Sequence, residues 1–313
     1  SGLIPEPTLE EKISMLAKGS EHCFGVGLTS VVDAGLGHQE IALMDSLQQA
    51  NQLKMQTYVM LSPTKKNFET YMKKGPYHTP YMHIESIKLY ADGALGSRGA
   101  CMLEPYADDP GNYGFLVTPR KELKDLAQKA YDNNYQVNTH AIGDSANRVT
   151  LEVYGEILGG KNDRRWRIEH AQVIHPDDFA LFGKYSVIPA VNTTHATSDM
   201  YWADERLGEK RLNHAYAYKD LLEENDWLTN GSDFPVEHIN PLYGFYAAVA
   251  RKDLEDYPEG GFQTENALNR QQALKAMTIW AARGMFEENQ KGSLEPGKQA
   301  DFVVTDKDIM ETD

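Results

Sequence analysis

Residues Tyr135–Gln172 read YQVNTHAIGDSANRVTLEVYGEILGGKNDRRWRIEHAQ. Two short β-type runs, Tyr135–Thr139 and Trp166–Ile168, flank a segment that opens on Gly143-Asp144-Ser145 and places Val149, Val153 and Ile157 on one helical face. Strand–helix–strand is the repeating unit of a parallel sheet. Each strand runs out into a histidine, His140 in T-H-A and His170 in E-H-A, about one βα unit apart. In a (β/α) barrel all strand C-terminal ends open on one face, so the two imidazoles can meet there. Two readings stand: each ring caps its strand on a nearby carbonyl, or the pair binds a metal.

The same alternation continues outward. Upstream, Thr8-Leu9-Glu10-Glu11 has the form of a capping box, ahead of a helix carrying Leu9, Ile13 and Leu16. Thr29–Val32, Met55–Leu61 and Ser86–Tyr90 read as strands, separated by helical patterns over His38–Lys54 and Phe68–Lys74. The polar, Gly-rich segment from Gly93 to Thr118 has the length of a functional loop. Pro119 then starts a helix that runs to about Asn134. Downstream, Tyr185–Val191 and Trp227–Thr229 read as strands. Helices are expected from His175-Pro176-Asp177 and over Asp204–Asn225, Pro241–Lys252 and Arg270–Glu287. After a turn at Gly292–Gly297, the run Asp301–Thr305 is expected as a last strand without an evident partner. Seven strands thus alternate with helices, whereas a closed barrel has eight.

At 313 residues, with 41% hydrophobic and 25% charged residues, the chain suits one large α/β domain. A formal net charge of −15 argues against nucleic acid or an anionic membrane as partner. No apolar run has the length of a membrane span. The two cysteines, Cys23 and Cys101, form no CxxC and no disulfide framework, which suits a reducing compartment. The cytoplasm is the favoured location. It stays open because the chain starts on Ser1-Gly2 and not on Met.

The strand ends carry Asp33, Lys88 or Asp92, His140, His170, Asn192 or His195, and Asp233. Imidazoles and carboxylates converging at strand ends suit Zn²⁺ or a related divalent ion. Glu169 alternates away from His170 on an extended strand and reads as a structural neighbour. Lys88 is the odd member, because a lysine buried there costs several kcal/mol unless it is neutralised, paired or modified. An ion pair with Asp92 or Asp33 is the plain solution. Arg98 and His195, in or beside exit loops, are candidate substrate contacts; a surface ion pair and a loop histidine are the plain alternatives.

The segments GLTSVVDAGL, IKLYADGALGSRGA, THAIGDSAN, RIEHAQ, THATSDMYWADERLG, GSDFPVE and GSLEPGKQADFVV, in this order, resemble the amidohydrolase superfamily. They are most similar to its YtcJ-like branch, which includes N-substituted formamide deformylases and AepA-type exoenzyme regulators. The resemblance runs from residue 27 to the end of the chain. It implies a metal-dependent hydrolase on a (β/α)₈ barrel, acting on small amide- or formamide-type substrates. His140, His170 and Asp233 would be metal ligands, with Asp233 also taking the proton of the attacking water. Lys88 would be carboxylated and bridge two metals. The implied cofactor is divalent, zinc in first place, as one or two ions.

Family members also carry a His-x-His pair at the end of the first barrel strand, and no such pair occurs in this sequence. They further carry a small β-sandwich built from N-terminal strands and the C-terminal G-x-L-x-x-G run. The expectation is therefore a truncated amidohydrolase. Residues 1–290 would form barrel strands two to eight, and 291–313 one strand of a β-sandwich whose N-terminal part is absent. The alternative is a catalytically incomplete fragment or a non-catalytic binding or regulatory barrel. Unpaired edges on strands two and eight would favour homo-oligomers.

Overall fold

The first helix, α1 (Leu9–Gly25), starts from the expected capping box. Glu11 N donates to Thr8 Oγ1 at 3.2 Å, and Thr8 N donates to Glu11 Oε2 at 2.7 Å. The computed structural model describes residues 5–312. The strands are β1 (Ser30–Leu36), β2 (Gln56–Leu61), β3 (Tyr77–His78), β4 (Met82–Tyr90), β5 (Gln136–Ala141), β6 (Arg167–His170), β7 (Ile188–Val191) and β8 (Thr229–Asn230). The remaining helices are α2 (His38–Gln49), α3 (Lys65–Thr70), α4 (Arg120–Asp132), α5 (Asp144–Leu158), α6 (Phe179–Tyr185), α7 (Thr193–Asp199), α8 (Ala203–Leu212), α9 (Tyr218–Asn225), α10 (Pro241–Ala250), α11 (Arg270–Met277) and α12 (Ile279–Gly284).

All strands but β3 form one parallel sheet in chain order, β1-β2-β4-β5-β6-β7-β8, and β3 adds antiparallel to the start of β4. Val32 and Ala34 of β1 line the same hollow as Thr229 and Asn230 of β8, so the sheet curls as in a TIM-type barrel. Among the described residues no ladder joins β8 to β1. Strands buried on both faces need near-continuous apolar runs. Val59, Met60 and Leu61 of β2 and Ile87 and Leu89 of β4 supply them. Outside the sheet, Trp166 is fully buried against Tyr154 of α5, ring centroids 4.8 Å apart. No helix among the described residues is long and apolar enough to cross a membrane.

The run 301–305 forms no strand. Phe302, Val303 and Val304 are 63%, 58% and 83% exposed, and among the described residues no strand pairs with them. The segment is tethered instead: Gln56 Nε2 donates to Gln299 Oε1 at 2.8 Å and to Asp301 Oδ2 at 3.0 Å. Val303 lies on Gly27, where a Cβ would come within 2.8 Å of a valine methyl. The helix expected over Asp204–Asn225 is two helices. Between them Tyr216 N donates to Gln172 O at 2.8 Å, and Ala215 bridges to Val173, so tertiary pairing takes this backbone. The helix expected over Arg270–Glu287 breaks at Thr278 (φ −127°, ψ −98°). β3 and α7 were not foreseen.

Candidate functional site

The loop after β4 starts beside the strand exits, with Gly93 O 3.5 Å from His140 Nε2. Asp92 is its anchor. Asp92 Oδ2 accepts from Cys101 N and Gly143 N, both at 2.8 Å, and Oδ1 accepts from Ile142 N at 3.0 Å. This ties the 93–118 segment to the entry of α5. Burial pushes the Asp92 carboxyl up to about 7, against the pull of these three amides. Asp92 is engaged with backbone, and among the described residues Lys88 forms the expected ion pair with neither Asp92 nor Asp33.

Lys88 is 4% exposed, and its Nζ lies 5.2 Å from the centroid of the Tyr90 ring. Burial depresses its pKa although Glu169 and Asp233 attract its charge. Glu169 turns into the hollow beside it and is held by Arg167 Nε at 2.7 Å. The hollow, of about 140 Å³, is lined by Lys88, Arg167, Glu169, His170, Asn192 and Asp233 among others. A larger hollow of about 210 Å³ opens at the other end of the sheet, around Lys161, Arg165 and Glu224, and no imidazole lines it.

His140, near the end of β5, and His170, the last residue of β6, meet as expected. Their rings pack edge to face with centroids 4.6 Å apart. His195, on α7, stacks on His170 at 5.8 Å. One ligand atom each from His170, His195 and Asp233 lies within 4.8 Å of the others. His140 sits beside this trio, with Nε2 turned towards Gly93 O at 3.5 Å and Asp92 Oδ1 at 3.6 Å. Three of these residues therefore come from strand exits and one from a helix that follows β7.

The hydrogen bonds decide which nitrogen each ring offers. Asn192 Nδ2 donates to Gly231 O at 2.9 Å, so Asn192 Oδ1 faces His170 and accepts from its Nδ1 at 2.8 Å. His195 Nδ1 donates to Glu237 Oε1 at 2.8 Å, and Ser198 Oγ holds the same oxygen at 2.7 Å. Among the described residues neither Nε2 has a hydrogen-bond partner, as when a second partner orients a ligating histidine. Burial and the neighbouring Lys88 charge push His140 down to about 4, and burial with His140 pushes His170 well below its usual value. Both are neutral imidazoles at pH 7, the form that binds a metal. The backbone bends sharply at these residues, with positive φ at His170 (74°), Ala171 (44°) and Asp233 (54°). Such strain in non-glycine residues gathers at functional sites. The donor set fits a divalent transition ion.

The sequence profile of the family described as Amidohydrolase family matches residues 1–313. The chain belongs to the amidohydrolase family. It is 30% identical over 316 residues to Protein LONG AFTER FAR-RED 3 of Arabidopsis thaliana, covering 96% of this chain and 54% of that one. With the putative amidohydrolase YtcJ of Bacillus subtilis (strain 168) it shares 33% identity over 234 residues, 75% of this chain and 44% of the relative. An uncharacterised metal-dependent hydrolase of Pyrococcus horikoshii OT3 has a similar structure. Its TM-score is 0.87 at 28% identity, with 98% of this chain and 62% of that chain covered. The chain thus spans about half the length of the two curated relatives.

Within this amidohydrolase, Arg98 is engaged by its own loop. Its Nε and Nη2 donate to Asp108 at 3.1 and 2.7 Å, and Arg206 pairs with the same carboxylate. Glu237 and Asn192 act on the site through the histidines they orient. Asn192 was visible as a strand-end residue, while Glu237 stands in GSDFPVE with no local sign of its partner. His195, expected as a substrate contact, lies among the metal-type donors.

Proposed function

We propose that this chain forms a divalent-metal site for hydrolysis of small amide- or formamide-type C–N bonds, zinc being the first candidate ion. His140, His170, His195 and Asp233 would hold the ion. The observation that carries the proposal is the pair His170 and His195, each with Nδ1 tied to an acceptor and one ligand atom of each within 4.8 Å of the Asp233 carboxylate. Bound there, such an ion lowers the pKa of a coordinated water to about 7. Asp233 accepts the proton of the attacking water and returns it to the leaving amine. Lys88, whose buried amine is held below its usual pKa and has no contacting carboxylate among the described residues, adds CO₂ at Nζ with loss of a proton. The resulting carbamate is an anionic oxygen donor. The C–N preference draws on the N-substituted formamide deformylase of Arthrobacter pascens, 24% identical over 197 residues.

The test is amine release from N-substituted formamides by the chelator-stripped chain with zinc restored. The expected result is turnover that needs the ion and falls about 10²–10⁴-fold in Asp233→Asn. Turnover undiminished by chelation would overturn the proposal. A second reading is a metal-binding barrel without turnover. Likeness to the exoenzymes regulatory protein AepA of Pectobacterium carotovorum, 24% identical over 215 residues, favours it. That reading expects ion uptake with no amine released.

A further inference from the structure

His78 and His83 face each other across the antiparallel β3–β4 pair, with ring centroids 3.7 Å apart. Glu85 follows two residues on. Val59 pairs with Ile84 and Met60 with Ser86, so Glu85 is the extra residue of a bulge, a device that re-aims a side chain. Its Oε2 lies 2.8 Å from His83 Nε2 and 3.6 Å from His78 Nε2. We propose that His78, His83 and Glu85 form a second divalent-metal site, at the N-terminal end of the sheet. It stands apart from the strand-exit cluster. His83 precedes Lys88 by five residues of β4, roughly 16 Å of extended strand.

The geometry meets the demands of a tetrahedral ion. The three donor atoms all lie within 4.8 Å of one another. Bonds of about 2.0–2.1 Å place neighbouring ligands roughly 3.3 Å apart, so the His83–Glu85 contact has to open by only a few tenths of an ångström. The other face of the His83 ring is supported. Its Nδ1 lies 3.4 Å from Glu287 Oε1, and Lys291 Nζ holds Glu287 Oε2 at 2.6 Å. Lys291 is fixed in turn by Ser30 Oγ at 2.9 Å and Gln56 Oε1 at 2.8 Å. Carboxylate, imidazole and ion in line is the arrangement that orients a ligating histidine. His83 is buried while His78 is half exposed, which leaves a path for an ion and a coordination position open to water. Around His83, burial is outweighed by the hydrogen bonds and charges of Glu287 and Glu85, which hold its pKa above the ordinary value. An ion bound there staples the two-residue β3 to the sheet.

The test uses the full chain with the strand-exit cluster disabled by His170→Ala and His195→Ala, stripped with chelator and dialysed against Zn²⁺ or Co²⁺. About one ion per chain is expected to remain, with the visible absorption of tetrahedral cobalt. Adding His78→Ala or Glu85→Gln is expected to abolish that ion while the circular dichroism of the metal-free chain shows the fold retained. Glu287→Gln is expected to weaken binding about 10–100-fold. No uptake in the disabled background would overturn the site, as would an ion that survives both His78→Ala and Glu85→Gln. Because the background lacks the proposed hydrolytic centre, neither result depends on that centre.

Discussion

At the scale of single residues, buried carboxylates carry much of the organisation and part of the risk. Asp92 receives three backbone amides from two segments. An Asp92→Asn amide presents its own donors to them and leaves at least one unmet, at a cost of about 1–3 kcal/mol. Urea unfolding should show the loss, and an unchanged midpoint would mean that the amides find other acceptors. Asp199 is a second such carboxylate. It accepts from Gln172 Nε2 at 3.0 Å and Tyr216 Oη at 2.9 Å, yet burial pushes its pKa up to about 6 from 3.8. The folded state then holds a proton that the unfolded state gives up, so its contribution is complete below about pH 4 and is lost as pH rises through 6. The loss is on the order of 2–3 kcal/mol. Asp199→Asn should make the fall in stability between these limits less steep, with Asp92 still contributing its own part, and a slope equal to that of the parent would refute the assignment. His140 and His170 were legible because a histidine at a strand exit has a position readable from alternation alone. The orientation of His195 was not, since it depends on Glu237, 42 residues away in the chain.

Among elements, the contact between the long loop and the entry of α5 leaves no spare space. A Cβ on Gly143 would lie 2.1 Å from the carbonyl oxygen of Cys101, backbone against backbone. The φ of Gly143 is −72°, so space and not conformation demands glycine there. Gly143→Ala should cost about 1–3 kcal/mol and speed proteolysis within residues 93–118, because the loop must lift. Cleavage at the parental rate would contradict this docking. The strand–helix alternation, the capping box at Thr8 and the long loop were all readable, since each rests on local periodicity or on a turn signal. The breaks at residues 213–217 and at Thr278 were not. The first arises from pairing with Gln172 and Val173, and such long-range contacts override local propensity. β3 is two residues long and carries no periodicity to read.

The whole molecule has two sheet edges, β1 and β8, that no ladder joins among the described residues. Open edges favour association. The net charge of −15 opposes it at low ionic strength. Light scattering should therefore find oligomers that grow with protein concentration and with salt, and a monomer under all conditions would refute the edge argument. The parallel order of the sheet was legible because each strand is followed by a helix, which forces a crossover. The fate of 301–305 was not, because an apolar run shows its β-character but not its partner.

The central claim is that imidazoles and a carboxylate at the strand exits hold a divalent ion. The measurement that reaches it most directly is the metal content of a His78→Ala chain, which removes the second site, with and without His170→Ala. About one ion per chain in the first, lost in the second, is the predicted result. No ion in the His78→Ala chain, or an ion that persists after His170→Ala, would contradict the account.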